Sequence, residues 1–421
     1  MTDSTRLTTT LFAYQMDTNL RLQSFDRNRF PAVDYARIPD ESGLFFRQTS
    51  NLRNRVYDVA GLSTELETRF STGSVDHKAV AGVRGIGEIT RRKLSIGGFP
   101  TALSGDLQTD DTTRIAGIGA WLQDQIAFSD VVVVTPAFRL EHSETGKRLH
   151  RVADDTRAPY DVDRSASSRS TGAMPGLALS IGKPALNVFS SMHVGYSAPR
   201  ISQSITPDGK DANLDAENSS NYEVGARGRL GKWLRAEADG FLVNFDNQLV
   251  SNNPLSGFTS EFINGGRTRH AGIEGTASVR FGEGLKLPID LDWSANYTYV
   301  RSRFVGGTFA GKAIPYAPPH TLQTTIDAAH PIGVSAQAAF SYVAPQYTDE
   351  RNTVEPGPTG LDGRIPAFTT VDIGARYRHK RTGLSLGIAV KNLLDRVYIS
   401  DRLPNGIFTA MPSESPVRLW R

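Results

Sequence analysis

The sequence predicts an all-β protein, a transmembrane antiparallel β-barrel, on three observations. The first is alternation. Between Pro288 and Phe304, Ile289, Leu291, Trp293, Ala295, Tyr297 and Tyr299 hold one parity, and Asp290, Asp292, Ser294, Asn296 and Thr298 hold the other. Successive side chains of a strand point to opposite faces, so this segment has one apolar side and one wet side. The pattern recurs in Tyr222, Val224, Ala226 and Leu230 against Asn221, Glu223, Arg227 and Arg229. It recurs again in Val371, Ile373, Ala375 and Tyr377 against Thr370, Asp372, Arg376 and Arg378. The second observation is persistence. Strands of soluble sandwiches run about 5–6 residues, whereas several of these registers hold over the roughly 9–11 residues that a tilted strand needs to cross hydrocarbon. The third is punctuation, in which tight links and long polar stretches take turns, as in barrels with short turns on one side and long loops on the other.

Alternation bounded by turn residues places the elements in order. Strand 5–24 is carried by the run Leu7 to Tyr14. Strands 55–71 and 76–93 flank Gly73-Ser74, and 114–129 and 131–144 flank Ser129-Asp130. Strands 172–182 and 185–196 meet at Gly182-Lys183, and 217–230 and 233–249 at Gly231-Lys232. Strands 262–281 and 288–304 follow, with Ile273, Ala277 and Val279 on one parity and Glu274, Thr276, Ser278 and Arg280 on the other. Gly272 and Gly275 in that strand mark a bend or a close backbone approach. Strands 320–330 and 333–346 flank Pro331-Ile332, 367–380 and 383–396 flank Arg381-Thr382-Gly383, and 415–421 closes the series, about sixteen strands in all. The long connections are 25–54, 94–113, 145–171, 197–216, 250–261, 305–319, 347–366 and 397–414, rich in Gly, Pro, Asn, Asp and Ser. Loops of that length are uncommon unless functional or disordered, and this side is expected to handle a ligand. Phe70, Trp121, Tyr196, Tyr222, Trp233, Phe281, Tyr299, Tyr342, Tyr377 and Tyr398 fall near strand ends, where interfacial girdles of aromatic residues belong.

Composition agrees. A chain of 421 residues with 39% hydrophobic residues and 39 glycines has no apolar run of about 18 residues, which excludes spanning helices and leaves strands. Lys+Arg 47 against Asp+Glu 44 gives +3 with the signs interspersed, and no basic stripe suggests nucleic acid. No cysteine is present, which suits an oxidising compartment. Met1 leads directly into strand-like sequence without the charged and apolar regions of an export signal.

These strands contain phrases that resemble TonB-dependent outer-membrane receptors. Ala120-Trp121-Leu122-Gln123-Asp124-Gln125-Ile126 followed by Pro136-Ala137-Phe138-Arg139-Leu140-Glu141 is similar to a barrel hairpin of that family. Tyr196-Ser197-Ala198-Pro199-Arg200, Leu214-Asp215-Ala216-Glu217, Asn221-Tyr222-Glu223-Val224-Gly225, the segment Asn264 to Gly275, and Val390 to Tyr398 resemble it in the same order. Ile314 to His320, Arg364 to Thr369 and Tyr398 to Arg402 look most like receptors of the ferric dicitrate and siderophore type.

The resemblance implies a barrel of the 22-stranded, plugged class, of which this chain has about 16 strands, with residues 1–421 as a partial barrel domain and the signal peptide, TonB box and plug missing. A partial barrel is expected to be unstable alone, because lipid cannot satisfy open strand edges. The family further implies uptake of a ferric siderophore or ferric citrate in a Gram-negative outer membrane. The partners implied are the TonB–ExbB–ExbD complex, acting through the missing N-terminal part, and outer-membrane lipid and lipopolysaccharide. Import of cobalamin, haem or carbohydrate, a passive porin and a non-functional remnant are the alternatives.

No catalytic constellation is expected. Gly383-Leu384-Ser385-Leu386-Gly387 fits G-x-S-x-G but lies in an alternating strand rather than at a strand-to-helix elbow. The eight histidines lack zinc-site spacing, so neither a resident metal nor another cofactor is expected. A ferric chelate is a compact polar anion that arginine forks and aromatic rings can hold. The ligand-binding candidates are Arg200 beside Tyr196, Arg267, Arg269 and His270 at the mouth of one strand, and Arg351 and Arg402 in later loops.

Overall fold

The computed structural model describes residues 4–23, 48–154, 157–199, 205, 210–211, 214–251, 262–264, 266–356, 363–403 and 406–410. The strands are β1 Ser4–Leu22, β2 Ser50–Thr72, β3 Val75–Gly97, β4 Asp106–Ala127, β5 Val132–Asp154, β6 Arg157–Lys183, β7 Leu186–Ser197, β8 Glu217–Leu230 and β9 Leu234–Asp246. Then come β10 Leu249–Ser251, β11 Phe262–Asn264, β12 Thr268–Arg280, β13 Asp290–Phe304, β14 His320–His330, β15 Val334–Val343, β16 Phe368–Arg378, β17 Ser385–Val390, β18 Tyr398–Leu403 and β19 Gly406–Ala410. Fifteen of them form one antiparallel sheet in chain order, with β12 following β9; β10 with β11 and β18 with β19 make two-stranded ribbons. Each of the fifteen overlaps a strand expected from alternation, whereas expected strand 415–421 lies outside the described residues.

Among the described residues the sheet is open, with β1 and β17 at its edges. An odd number of antiparallel strands leaves both edges running the same way, so antiparallel closure onto itself would take an odd number of further strands.

Register explains the two faces. Paired residues share a face, and the row Leu11, Leu62, Gly85, Ile118 crosses β1 to β4. The row Leu179, Ser190, Val224, Gly240, Ile273, Tyr299 crosses β6 to β13. Leu11, Ile118, Val224 and Ile273 are exposed on this apolar face. The opposite face is polar, and aromatic rings occupy the space above glycines on it: Phe12 over Gly61, Trp121 over Gly82, Phe189 over Gly225 and Phe241 over Gly272. Guanidinium groups cap three of these rings, Arg84 over Phe12 at 5.7 Å, Arg139 over Trp121 at 5.4 Å and Arg227 over Phe189 at 5.2 Å. Gly272 is thus the close approach expected of it, since a Cβ there would meet the Phe241 ring. Gly275 has only the Glu237 carbonyl within contact distance. Trp121 corrects the girdle expectation, because its ring packs on the polar face.

Two expected loops are strands. Residues 145–171 pair from Thr145↔Ser168 up to Asp154↔Arg157, and 94–113 shrinks to a short connection after Gly97. Both faces of these stretches are polar, so hydrophobic period 2 vanishes while the backbone ladder continues. The segment 397–414 likewise contains the β18–β19 hairpin. Expected strand 383–396 instead stops at Val390. The Asp372 carboxylate accepts from Lys391 Nζ and from the Asn392 amide, both at 2.8 Å, and Asn392 exchanges bonds with Arg396 in a turn where Asn392 and Asp395 have φ of 49° and 46°. Asn and Asp tolerate that left-handed region. The β2–β3 turn needs it too: Gly73 has φ 64°.

Candidate ligand-binding rim

On the apolar face charge enters over two rows. Above Ala60, Gly87 and Ala116 stand Asp58, Ile89 and Arg114, and Arg91, one row higher on β3, pairs with Asp58 at 2.7 Å. From that level β2 to β6 continue as a tall wall of paired strands. The wall is fastened by ion pairs such as Arg148 with Asp163 at 2.8 and 2.9 Å and Arg92 with Asp111 at 2.9 Å. Hydrogen bonding from the Arg148 guanidinium, with its charge, holds the Asp163 carboxyl below the ordinary carboxylate range.

Across the sheet, connection 305–319 and the described stretches 344–356 and 363–367 knit into a canopy over β12 to β16. Val305 and Gly306 donate to the Arg267 carbonyl at 2.8 and 3.2 Å, Tyr316 donates to the Tyr347 carbonyl at 2.9 Å, and Gln346 and Ile365 form an antiparallel bridge. Asn352 (φ 60°) acts as a clasp: its Oδ1 accepts from the Ala313 amide at 2.7 Å and its Nδ2 donates to the Ala313 carbonyl at 2.9 Å. The buried Asp349 caps this turn, accepting from the Arg351 amide at 2.8 Å and from the Thr353 hydroxyl at 3.2 Å. Phe304, Ala344 and Ile365 form its buried apolar centre. Glu350 is the group that sequence reasoning missed. Its Oε2 is buried with no hydrogen-bond partner among the described residues, and burial, reinforced by Asp349, pushes its carboxyl above the ordinary range.

The expected ligand residues separate. Arg267 and Arg351 both belong to the canopy and are exposed, tied into it by their backbones. His270 lies on the polar face, with Nδ1 against Ser302 Oγ at 2.8 Å and its ring edge-on to Phe245. Arg269, one residue away, has the opposite parity and donates to Asn244 Oδ1 at 2.8 Å on the apolar side of the sheet. Grouping it with His270 at one mouth is therefore corrected by strand parity. The Tyr196 ring lies over Gly172, with its hydroxyl buried and unpartnered among the described residues. Arg200 lies outside the described residues, and Arg402 is placed only as part of β18. Among the described residues no group of three or more His, Asp or Glu side chains could hold a metal ion.

A long-stranded, two-faced antiparallel sheet with tight turns at one end and an ordered polar rim at the other defines the membrane β-barrel class. Residues 1–393 match the model of the family described as TonB dependent receptor-like, beta-barrel, and the chain belongs to that family. A curated relative, the ferric enterobactin receptor PirA of Pseudomonas aeruginosa, is 26% identical over 190 residues, 44% of this chain and 24% of that protein. The fold is similar to that of the ferric citrate transporter FecA in its unliganded form, with TM-score 0.73 and 22% identity over 96% of this chain and 57% of that one. It is also similar to the ferric-catecholate import receptor Fiu from E. coli K12, with TM-score 0.71 and 15% identity over 97% of this chain and 60% of that one. The chain thus spans less than two thirds of the length of these three proteins. The family is one of receptors and transporters rather than enzymes.

Proposed function

We propose that this chain forms barrel wall and outer rim of an outer-membrane TonB-dependent receptor that takes up a ferric siderophore or ferric citrate. The observation that carries the reading is the rim itself. Tall paired strands on one side and a hydrogen-bonded canopy on the other present Arg267 and Arg351 above, and His270 on the polar face of, a sheet whose two faces suit lipid and a polar lumen. Guanidinium groups on an ordered frame are suited to the carboxylates or phenolates of an iron chelate. The iron chelate is cargo here, and the chain holds no resident metal or cofactor in this reading. The relatives named for ferric citrate, ferric enterobactin and ferric-catecholate import support an iron cargo over other ligands. In this reading the TonB–ExbB–ExbD complex supplies the energy for uptake by the whole receptor, and lipid and lipopolysaccharide surround the apolar face. Residues 1–421 are one barrel domain.

The test is equilibrium binding of ferric citrate, a ferric catecholate, a ferric trihydroxamate, haemin and cobalamin to the full chain in detergent. Saturable binding of one iron chelate is expected. Binding of haemin or cobalamin with no iron chelate bound would overturn the reading.

A further inference from the structure

The tall wall contains a cationic site on its polar face that the canopy does not share. Residue rows running across β2 to β6 define it: Tyr57, Thr90, Thr113, Lys147 and Ala166 in one, and Arg55, Arg92, Asp111, Leu149 and Arg164 in the next. Lys147 lies fifteen residues beyond Val132, about 50 Å along the strand and about 35 Å in height at a 45° tilt, well past an apolar band of about 25 Å.

Three observations converge there. Asp111, 7% exposed, is already neutralised by Arg92, whose guanidinium meets its Oδ1 at 2.9 Å. Lys147 therefore has no carboxylate of its own among the described residues, and burial lowers its ammonium from the ordinary lysine range, with Asp111 attracting and Arg92 repelling it. Directly across from Lys147, Thr113 is 2% exposed and its hydroxyl is buried without a hydrogen-bond partner among the described residues. A buried polar group without a partner is costly and calls for a ligand or a water.

We propose that Lys147, with the Thr113 hydroxyl beside it, is an anion-recognition site for a free carboxylate of the incoming chelate. This rests on the uptake reading above. The ammonium supplies charge, the hydroxyl a second donor, and the Arg92–Asp111 fork fixes the wall behind them. A chelate with spare carboxylates gains from the site; a neutral one does not. The site accordingly sets specificity within the iron chelates.

The experiment compares the full chain with Lys147→Met, Lys147→Gln and Lys147→Arg in detergent, each checked for folding by heat-modifiable electrophoretic mobility. Binding of ferric citrate, iron-free citrate and a neutral ferric trihydroxamate is read by tryptophan fluorescence. Loss of one charge-assisted bond predicts about tenfold weaker binding of both citrate forms in the Met and Gln variants, near-complete rescue by Arg, and no change for the trihydroxamate. If iron-free citrate binds through Lys147 while no iron chelate binds, the site stands and the uptake reading falls. If ferric citrate binds and the Met and Gln variants bind it as tightly as the parent, the uptake reading stands and the site falls. Absence of any citrate binding to the parent also overturns the site.

Discussion

Substituting arginine at Ile273 and, separately, at its neighbour Glu274 tests the assignment of faces at a single height in the barrel wall. Ile273 is 54% exposed on the apolar face, in register with Gly240 and Tyr299. It lies seven residues from Arg280, where β12 ends at its turn. At a rise of about 3.3 Å per residue and a tilt near 45°, that is about 16 Å up, close to the middle of an apolar band of about 25 Å. An arginine facing lipid at midplane costs about 2–4 kcal/mol. Glu274 points the other way, in register with Asp239 and Thr298, and the Asp239 carboxylate stands near it. Arginine there faces water and negative charge, so Glu274→Arg is expected to change stability by less than about 1 kcal/mol. The assay is denaturant unfolding of the full chain from lipid vesicles, followed by tryptophan fluorescence and heat-modifiable mobility. A midpoint that falls for Ile273→Arg and holds for Glu274→Arg is the expected result. Equal losses, or a larger loss at Glu274, would refute the assignment of the apolar face to lipid.

Further expectations concern the rim and the end of the sheet. Asp349→Ala removes the cap on the Arg351 amide and Thr353, and should raise hydrogen exchange through 349–354 by about 1–2 kcal/mol of lost protection; unchanged exchange would exclude a capping role. Glu350 has its carboxyl raised by burial above the ordinary 4.5, so its contribution to canopy stability is present in full below that value and is lost as pH rises through the raised one. Protection factors of the canopy should therefore fall with rising pH in the parent and stay flat in Glu350→Gln, and a flat parent profile would exclude the effect. Asp372→Ala frees Lys391 and the Asn392 amide, and should cost about 1–3 kcal/mol in the same vesicle unfolding assay; an unchanged midpoint would mean the β17 stop is fixed elsewhere. Arg267→Ala with Arg351→Ala should weaken binding of an anionic iron chelate at least tenfold, and titration against the parent checks it.

What the sequence makes legible follows from where the solvent changes. Lipid restricts one face of a strand and water or plug the other, so residues such as Ile273 and Glu274 declare their faces through parity alone. Above Asp58, Arg91 and Arg114 both faces are wet, selection on parity disappears, and Lys147 and Asp163 look like loop residues although their backbones stay paired. The rim is hidden for a second reason, since its contacts join residues far apart in sequence. Nothing local to Ala313 announces that Asn352 will clasp it, although Asp349 and Asn352 are residue types that build such turns. The opposite placement of Arg269 and His270 follows from parity in β12, which their adjacency as a basic pair obscures. The girdle reading failed at Trp121 because a ring near a strand end serves equally well to cover a glycine on the polar face. The same loss of pattern bears on function. A wall that both solvents leave unconstrained is free to vary in charge without harming insertion, so positions such as Lys147 can differ between receptors of one fold, and ligand choice can diverge there while the membrane band below keeps its alternation.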